Sequence, residues 1–150
     1  MDGVKQTPQG YLDASKERIG AAEVLFREQR FGECFYCAGL AVECLLRAFR
    51  SRRDPEFDER HDLPDLLRAS GLEELVSENQ QKRLSLALGQ TWARWKNAYR
   101  YADTERLQAD LRARNLFHGI RGDQLKANAR TLLNNANIVL VLGWEKWIKA

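Results

Sequence analysis

Residues 31–49 place the strongest constraint on the fold, because apolar side chains recur there every three or four positions. Phe35, Val42 and Phe49 belong to one stripe, and the small residues Ala38 and Gly39 lie in its middle. This spacing is typical of an amphipathic α-helix with one face in a core. The stretch therefore predicts a long helix, over about 32–51, that packs against other helices.

Helical periodicity continues along the rest of the chain, without repeats or sustained two-residue alternation. Cap residues mark the predicted helix starts. Thr7 with Pro8 opens a helix over about 8–29, and Asp62 opens a short helix over 63–70 that stops at Gly71. Further helices follow in order: one capped by Ser77 and ending near Arg100 or Tyr101, one capped by Thr104, and one capped by Asp123 after a turn bracketed by Gly119 and Gly122. The fold class expected is all-α, a four- to five-helix up-and-down antiparallel bundle forming one domain over 1–150.

Composition fits an ordinary globular protein, with 44% hydrophobic and 30% charged residues. No apolar run approaches the roughly 18 residues of a membrane span, and residues 1–10 lack a signal-peptide pattern. We therefore expect a cytoplasmic protein without membrane attachment. The net charge of +3 is uneven, because residues 51–80 are acidic and residues 92–130 are basic. The basic half favours contact with phosphate groups, unless the imbalance reflects only solvated helix faces.

Three segments resemble the HEPN family of small helical domains. Residues 41–48 are similar to its A-V-E-x-x-L-K-A helix, and residues 61–67 to its H-D-L-x-x-L-L segment. Residues 100–103 are similar to the R-Y-x-D ending of its third long helix. The three motifs occur in the family's order, and the resemblance covers residues 10–103.

The resemblance implies a HEPN-like bundle that forms a homodimer and acts on RNA. Many members are metal-independent endoribonucleases, including toxins and defence components, whose signature is arginine, four to six residues, then histidine. Others bind a nucleotide or partner a nucleotidyltransferase without cleaving RNA. Neither activity implies a cofactor or a metal, and an antitoxin is a further partner that the resemblance suggests.

The candidate catalytic residues lie in one segment, 112–119. Five residues separate Arg112 from His118, whereas only three separate Arg114, which is followed by Asn115, from His118. Histidine can move a proton near neutral pH, and arginine can hold phosphate oxygens. Either this segment cleaves RNA, or His118 closes the fourth helix beside Gly119 and both arginines are surface residues.

Arg100 and Tyr101 are the candidate nucleotide-binding residues, with arginine for a phosphate and an aromatic ring for a base. The alternative is that the preceding stripe of Trp92, Trp95 and Tyr99 is simply core. His61 is expected to have a structural role at a helix start.

Two other features of the second helix favour structural roles. Cys34 and Cys37 have neither a strand before them nor a set of zinc ligands, so buried reduced thiols are expected, together with Cys44. Glu43 stands among apolar residues and can pair with Arg47 one turn later.

Overall fold

A computed structural model describes residues 6–54 and 63–149. Within these ranges the chain forms seven α-helices and one 3₁₀ helix, and no strand. The helices are α1 (Pro8–Arg27), α2 (Phe31–Arg53), α3 (Leu63–Ser70), α4 (Leu72–Leu75), α5 (Glu78–Arg94), the 3₁₀ helix (Asn97–Tyr101), α6 (Thr104–Ala113) and α7 (Gln124–Lys149). The all-α class is confirmed for the described chain, while His61 and the cap predicted at Asp62 lie outside it.

Contacts at the helix ends give the direction of each long helix. The Lys126 ammonium lies 6.0 Å from the ring centre of Phe31, and the rings of Phe49 and Trp147 lie 5.2 Å apart. Helices α2 and α7 therefore run parallel, because their first turns contact each other and so do their last turns. Trp147 donates a hydrogen bond of 3.3 Å to Gln9, so α1 runs antiparallel to α7.

The remaining long helix, α5, completes the bundle. Arg94 at its end donates a hydrogen bond of 3.1 Å to Asn128 near the start of α7, so these two helices are antiparallel. The four long helices thus alternate in direction along the chain, and the predicted helical bundle is confirmed. The second and fourth of these helices, α2 and α7, consequently run parallel to each other, and they are in contact because α2 lies at the centre, against α1, α3 and α7.

Most predicted helix starts are confirmed by their caps. The Thr7 hydroxyl accepts a hydrogen bond from the Gly10 amide at 2.9 Å, and Asp123 accepts one from the Lys126 amide at 2.9 Å. Ser77 forms a reciprocal capping box with Gln80. The cap predicted at Thr104 is wrong by one residue, because Asp103 accepts the hydrogen bond of the Arg106 amide instead.

The third long helix is shorter than predicted. It ends at Arg94, and Trp95 has extended backbone angles (φ −86°, ψ 140°) before the 3₁₀ helix begins. Contacts with α2 hold this break: the Trp95 indole donates a hydrogen bond of 3.1 Å to the carbonyl of Tyr36. Long-range packing therefore overrides a helical pattern that continues in the sequence.

The centre of the core is α2, and the predicted inner stripe is confirmed by full or nearly full burial of its members: Phe35, Ala38, Val42, Leu45 and Phe49. More than that stripe is buried, since α2 is covered on several sides. Glu43 pairs with Arg47 at 3.2 Å, as predicted. All three cysteines are free thiols, and burial raises the pKa of Cys34 to about 12 and that of Cys44 to about 11.

No helix in the described chain is both long and apolar enough to cross a membrane.

Candidate functional site

Trp95 fixes the segment that carries Arg100 and Tyr101. A side-chain carbon added to Gly39 would fall within 3.0 Å of three carbons of the Trp95 ring, so the indole lies directly on the α2 backbone. Its N–H is held by the Tyr36 carbonyl, and its ring is 4% exposed. The 3₁₀ helix that follows is thereby placed against the first turns of α2, where Tyr99 meets Phe35 edge to face at 5.8 Å.

Arg100 lies at the edge of a groove between these elements. Its Nε donates a hydrogen bond of 3.0 Å to the Tyr36 hydroxyl, while the residue is otherwise exposed. The guanidinium carbon lies 6.0 Å from the ring centre of Tyr101, which is 83% exposed. The groove has a volume of about 420 Å³ and is lined by Leu25, Gly32, Glu33, Tyr36, Cys37, Tyr99, Arg100, Ala102, Asp103 and Thr104. The structure thus sets a fixed cation and an exposed aromatic ring beside a concave surface.

Two helices begin at the floor of this groove. A side-chain carbon on Gly32 would lie 3.0 Å from the Thr104 hydroxyl, so the starts of α2 and α6 are close together. Asp103 caps α6, whereas the side chain of Arg30, the residue before α2, makes no capping hydrogen bond with a backbone amide of the first turn. Glu33 in that turn accepts hydrogen bonds from Arg30, with Oε1 2.8 Å from Nε.

Arg114 is engaged in contacts that hold the chain together. Its Nη1 donates to the Ala93 carbonyl at 2.6 Å and its Nη2 to the Arg94 carbonyl at 2.7 Å, which caps the end of α5. The same Nη2 also donates to the Tyr99 hydroxyl. Its Nε lies 3.3 Å from Oδ2 of Asp110, an ion pair without the alignment of a hydrogen bond. Both terminal nitrogens of Arg114 therefore already have hydrogen-bond partners within the described chain.

Tyr99 and Asp110 complete this cluster. The Tyr99 hydroxyl donates to Asp110, and the Lys96 ammonium lies 3.2 Å from the same carboxylate. Burial and the hydrogen bond with Asp110 raise the pKa of Tyr99, so its phenol keeps its proton. The Tyr99 hydrogen bond, followed by Lys96 and Arg114, lowers the pKa of Asp110. The cluster binds α5, the 3₁₀ helix and α6 to one another.

Asn115 ends α6 by adopting a left-handed conformation with φ 63°. Its amide donates to the Arg112 carbonyl at 3.0 Å, and the Leu116 amide donates to the Leu111 carbonyl at 3.0 Å. This is the Schellman pattern of a helix end, in which asparagine is one of the residues that tolerate a positive φ. The backbone role explains an asparagine here without any substrate.

His118 and Arg112 are both exposed. The guanidinium carbon of Arg112 lies 5.5 Å from the ring centre of Phe117. The alternative in which His118 closes the fourth helix is wrong, because α6 ends at Ala113 and His118 lies in the turn that follows. Among the described residues, neither side chain forms an ion pair. The structure therefore leaves both free to meet a ligand or a partner.

Sequence reasoning missed Asn128, which is 1% exposed on α7. Its Nδ2 donates to the carbonyls of Leu116 and Gln124 at 3.0 Å each, and its Oδ1 accepts the hydrogen bond of Arg94. It thus fixes the turn that carries His118 to α5 and α7. The available signal was its place on the apolar face of the last helix, three positions after Leu125 and four before Leu132.

Within the ranges 6–54 and 63–149, no group of three or more histidine, cysteine or acidic side chains could hold a metal ion. No protein-family model, curated protein or solved structure matches the chain.

Proposed function

We propose that this chain is a HEPN-type helical module that binds a nucleotide, free or at the end of an RNA, in the groove beside Arg100. The proposal rests above all on one contact, the hydrogen bond of 3.0 Å by which Tyr36 holds Arg100 at the edge of the groove. Nε is used in that bond, and the Tyr101 hydroxyl is a second, neutral hydrogen-bonding neighbour of the guanidinium. The terminal nitrogens form no ion pair among the described residues, so they can donate hydrogen bonds to a phosphate group.

Tyr101 supports the same ligand class. Its ring is 83% exposed next to the guanidinium, and an exposed aromatic ring offers a base a stacking surface worth about 1–3 kcal/mol. The groove volume of about 420 Å³ falls within the common range of small-molecule sites. The basic character of residues 92–130 adds long-range attraction for a phosphate.

The test is a calorimetric titration of the full chain with adenosine 5′-monophosphate at low ionic strength. Arg100→Ala should weaken binding at least about tenfold, because a charge-assisted bidentate contact is lost. Tyr36→Phe should weaken it less, since the arginine remains but is no longer held. Arg83→Ala is the matched control, because Arg83 is an exposed arginine on α5 outside this groove. Wild-type binding that Arg100→Ala leaves unchanged would refute the site.

A second candidate function is metal-independent RNA cleavage at His118, with Arg112 as the phosphate-binding residue. The exposure of both side chains on one segment favours it. In this reaction His118 would take the proton of a 2′-hydroxyl group or donate one to the leaving oxygen. The contacts of Arg114 and Asn115 give those two residues supporting positions in such a site.

Cleavage of a fluorescent RNA in the presence of EDTA tests this candidate. We expect activity that is lost in His118→Ala and kept in His61→Ala, the same change at the other histidine. Activity that requires a divalent metal, or that survives in His118→Ala, would rule the candidate out.

Both functions include a homodimer, which the resemblance implies. Exposed apolar side chains on α5 and α7, Leu86 at 68% and Val141 at 49%, support pairing through these helices. Light scattering should then give twice the chain mass of 17.3 kDa. A nucleotidyltransferase or an antitoxin would be a further partner, and co-expression with such a protein tests it by co-purification.

A further inference from the structure

Charged side chains around the groove are mostly paired with one another. Arg30 beside the groove is neutralised by Glu33, with Nη2 2.6 Å from Oε1. Asp103 is likewise paired with Arg106 at 2.6 Å and also caps α6. Arg100 differs, because its hydrogen-bonding neighbours Tyr36 and Tyr101 are neutral phenols. Among the described residues that line the groove, Arg100 is the one cation, and it has no acidic partner there.

From this distribution we infer that the ligand of the groove carries a single phosphate group, as in a ribonucleoside monophosphate or a phosphorylated RNA end. The inference rests on the proposed function and narrows its ligand class. One guanidinium can hold two oxygens of one phosphate. Each added phosphate brings at least about one further negative charge, and no unpaired cation lines the described groove to receive it. Arg30 and Arg106 cannot receive it either, because they are already paired with Glu33 and Asp103.

A second groove of about 380 Å³ adjoins the first and shares Gly32, Glu33 and Thr104 with it. Its other polar lining consists of the neutral amides Gln29 and Gln108, the carboxylate of Asp123, and Arg30, whose charge is paired with Glu33. Amides can hydrogen-bond a base or a sugar, but they do not balance a phosphate charge. The second groove therefore suits the nucleoside part of a neighbouring nucleotide, and its one described cation, Arg30, is already paired and so is not available to a polyphosphate.

The experiment compares adenosine monophosphate and triphosphate by calorimetry, with EDTA present so that no metal masks the phosphate charge. Binding of the monophosphate should be tighter by about threefold to tenfold at low salt, because charges a few ångströms apart interact measurably even in water. Equal or tighter binding of the triphosphate would overturn the inference. Failure of both to bind the wild type is a different result, since it removes the proposed function as well.

A 5′-phosphorylated dinucleotide and its unphosphorylated form separate the two sources of the ligand. Tighter binding of the phosphorylated dinucleotide than of the monophosphate identifies an RNA end, and weaker binding identifies a free nucleotide. Both results support a ligand with a single phosphate group, provided that the phosphorylated dinucleotide binds more tightly than its unphosphorylated form. Equal affinity of the two dinucleotides would contradict the inference, because the phosphate would then contribute nothing.

Glu33→Gln tests the cause of the preference. It removes the carboxylate that pairs with Arg30 and so frees one positive charge beside the groove, and triphosphate affinity should therefore rise toward that of the monophosphate. Glu145→Gln is the matched control, since Glu145 is exposed on α7 near the opposite end of α2 and does not line either groove. An unchanged affinity ratio in a folded Glu33→Gln variant would show that the paired charges do not set the preference.

Discussion

Replacing Gly39 with alanine tests the packing that positions the candidate site. The added methyl group would fall within 3.0 Å of three carbons of the Trp95 ring, a separation that neither group can keep. Both residues are buried, and the indole is also held by its hydrogen bond to Tyr36. The ring must therefore move, and the 3₁₀ helix that begins two residues later must move with it.

The magnitude follows from two opposing effects. Overfilling a packed core costs about 1–3 kcal/mol or more. Alanine in a helix interior returns about 0.5–1 kcal/mol relative to glycine. We expect Gly39→Ala to be destabilised by about 1–2 kcal/mol, which lowers the melting temperature by roughly 2–8 °C for a chain of this size.

Gly89→Ala provides the matched control, since Gly89 lies inside α5 and a side-chain carbon there meets nothing within 4 Å. This variant should be more stable than the wild type by about 0.5–1 kcal/mol. Urea unfolding followed by far-ultraviolet circular dichroism measures both. A Gly39→Ala protein as stable as Gly89→Ala would refute the contact between Trp95 and the α2 backbone.

A double-mutant cycle locates the clash. In a Trp95→Ala background the ring is absent, so adding Gly39→Ala should no longer destabilise the protein. Gly39→Ala alone should also weaken binding at Arg100, because that residue is carried by the segment that Trp95 anchors. Full destabilisation in both backgrounds would place the clash elsewhere.

Further predictions concern the cluster around Arg114. Arg114→Lys should destabilise the protein by about 2–3 kcal/mol in urea unfolding, because an ammonium cannot bond both α5 carbonyls and the Tyr99 hydroxyl in the same geometry. Tyr99→Phe should cost about 1–3 kcal/mol by the same assay, since Asp110 and Arg114 lose a shared partner. Asn115→Gly should keep stability or raise it by up to about 1 kcal/mol, whereas Asn115→Ala should lower it, because φ there is positive. The pKa of the Asp110 carboxyl lies below its ordinary 3.8, so the stability that the ionised carboxylate contributes is present above pH 3.8 and is lost as the pH falls further. Below that pH, the free energy of unfolding should fall less steeply with acidification in Asp110→Asn than in the wild type.

Local sequence signals were sufficient for most of the helix boundaries. Thr7, Ser77 and Asp123 cap helices through contacts within three residues of themselves, so their identity alone predicts the helix start. Gly71 is a similar case, since it follows α3 with φ 73°, a conformation that glycine adopts without strain. Such short-range interactions are fully contained in the sequence pattern.

The end of α5 could not be predicted in this way. Trp95 and Tyr99 continue a helical spacing, but their partners Tyr36, Gly39 and Phe35 are about 60 positions away in the chain. The spacing of apolar residues alone does not show whether a continued helix or a break after Arg94 buries these side chains better. The same limit applied to Asn128, whose three partners lie on separate elements.

The spacing of Arg112, Arg114 and His118 shows why a signature of residue types did not define a site by itself. On a helix, five intervening residues would fix the angle between two side chains. Here α6 ends at Ala113, so the spacing crosses a turn whose course is set by Asn115 and Asn128. That turn directs Arg114 inward to the end of α5 and leaves His118 exposed. A catalytic role for His118 therefore requires a phosphate-binding group that Arg114 does not supply, either Arg112 or a residue of a second copy of the chain. For this reason the Arg100 groove, where cation and aromatic ring are already placed, is the better-supported site.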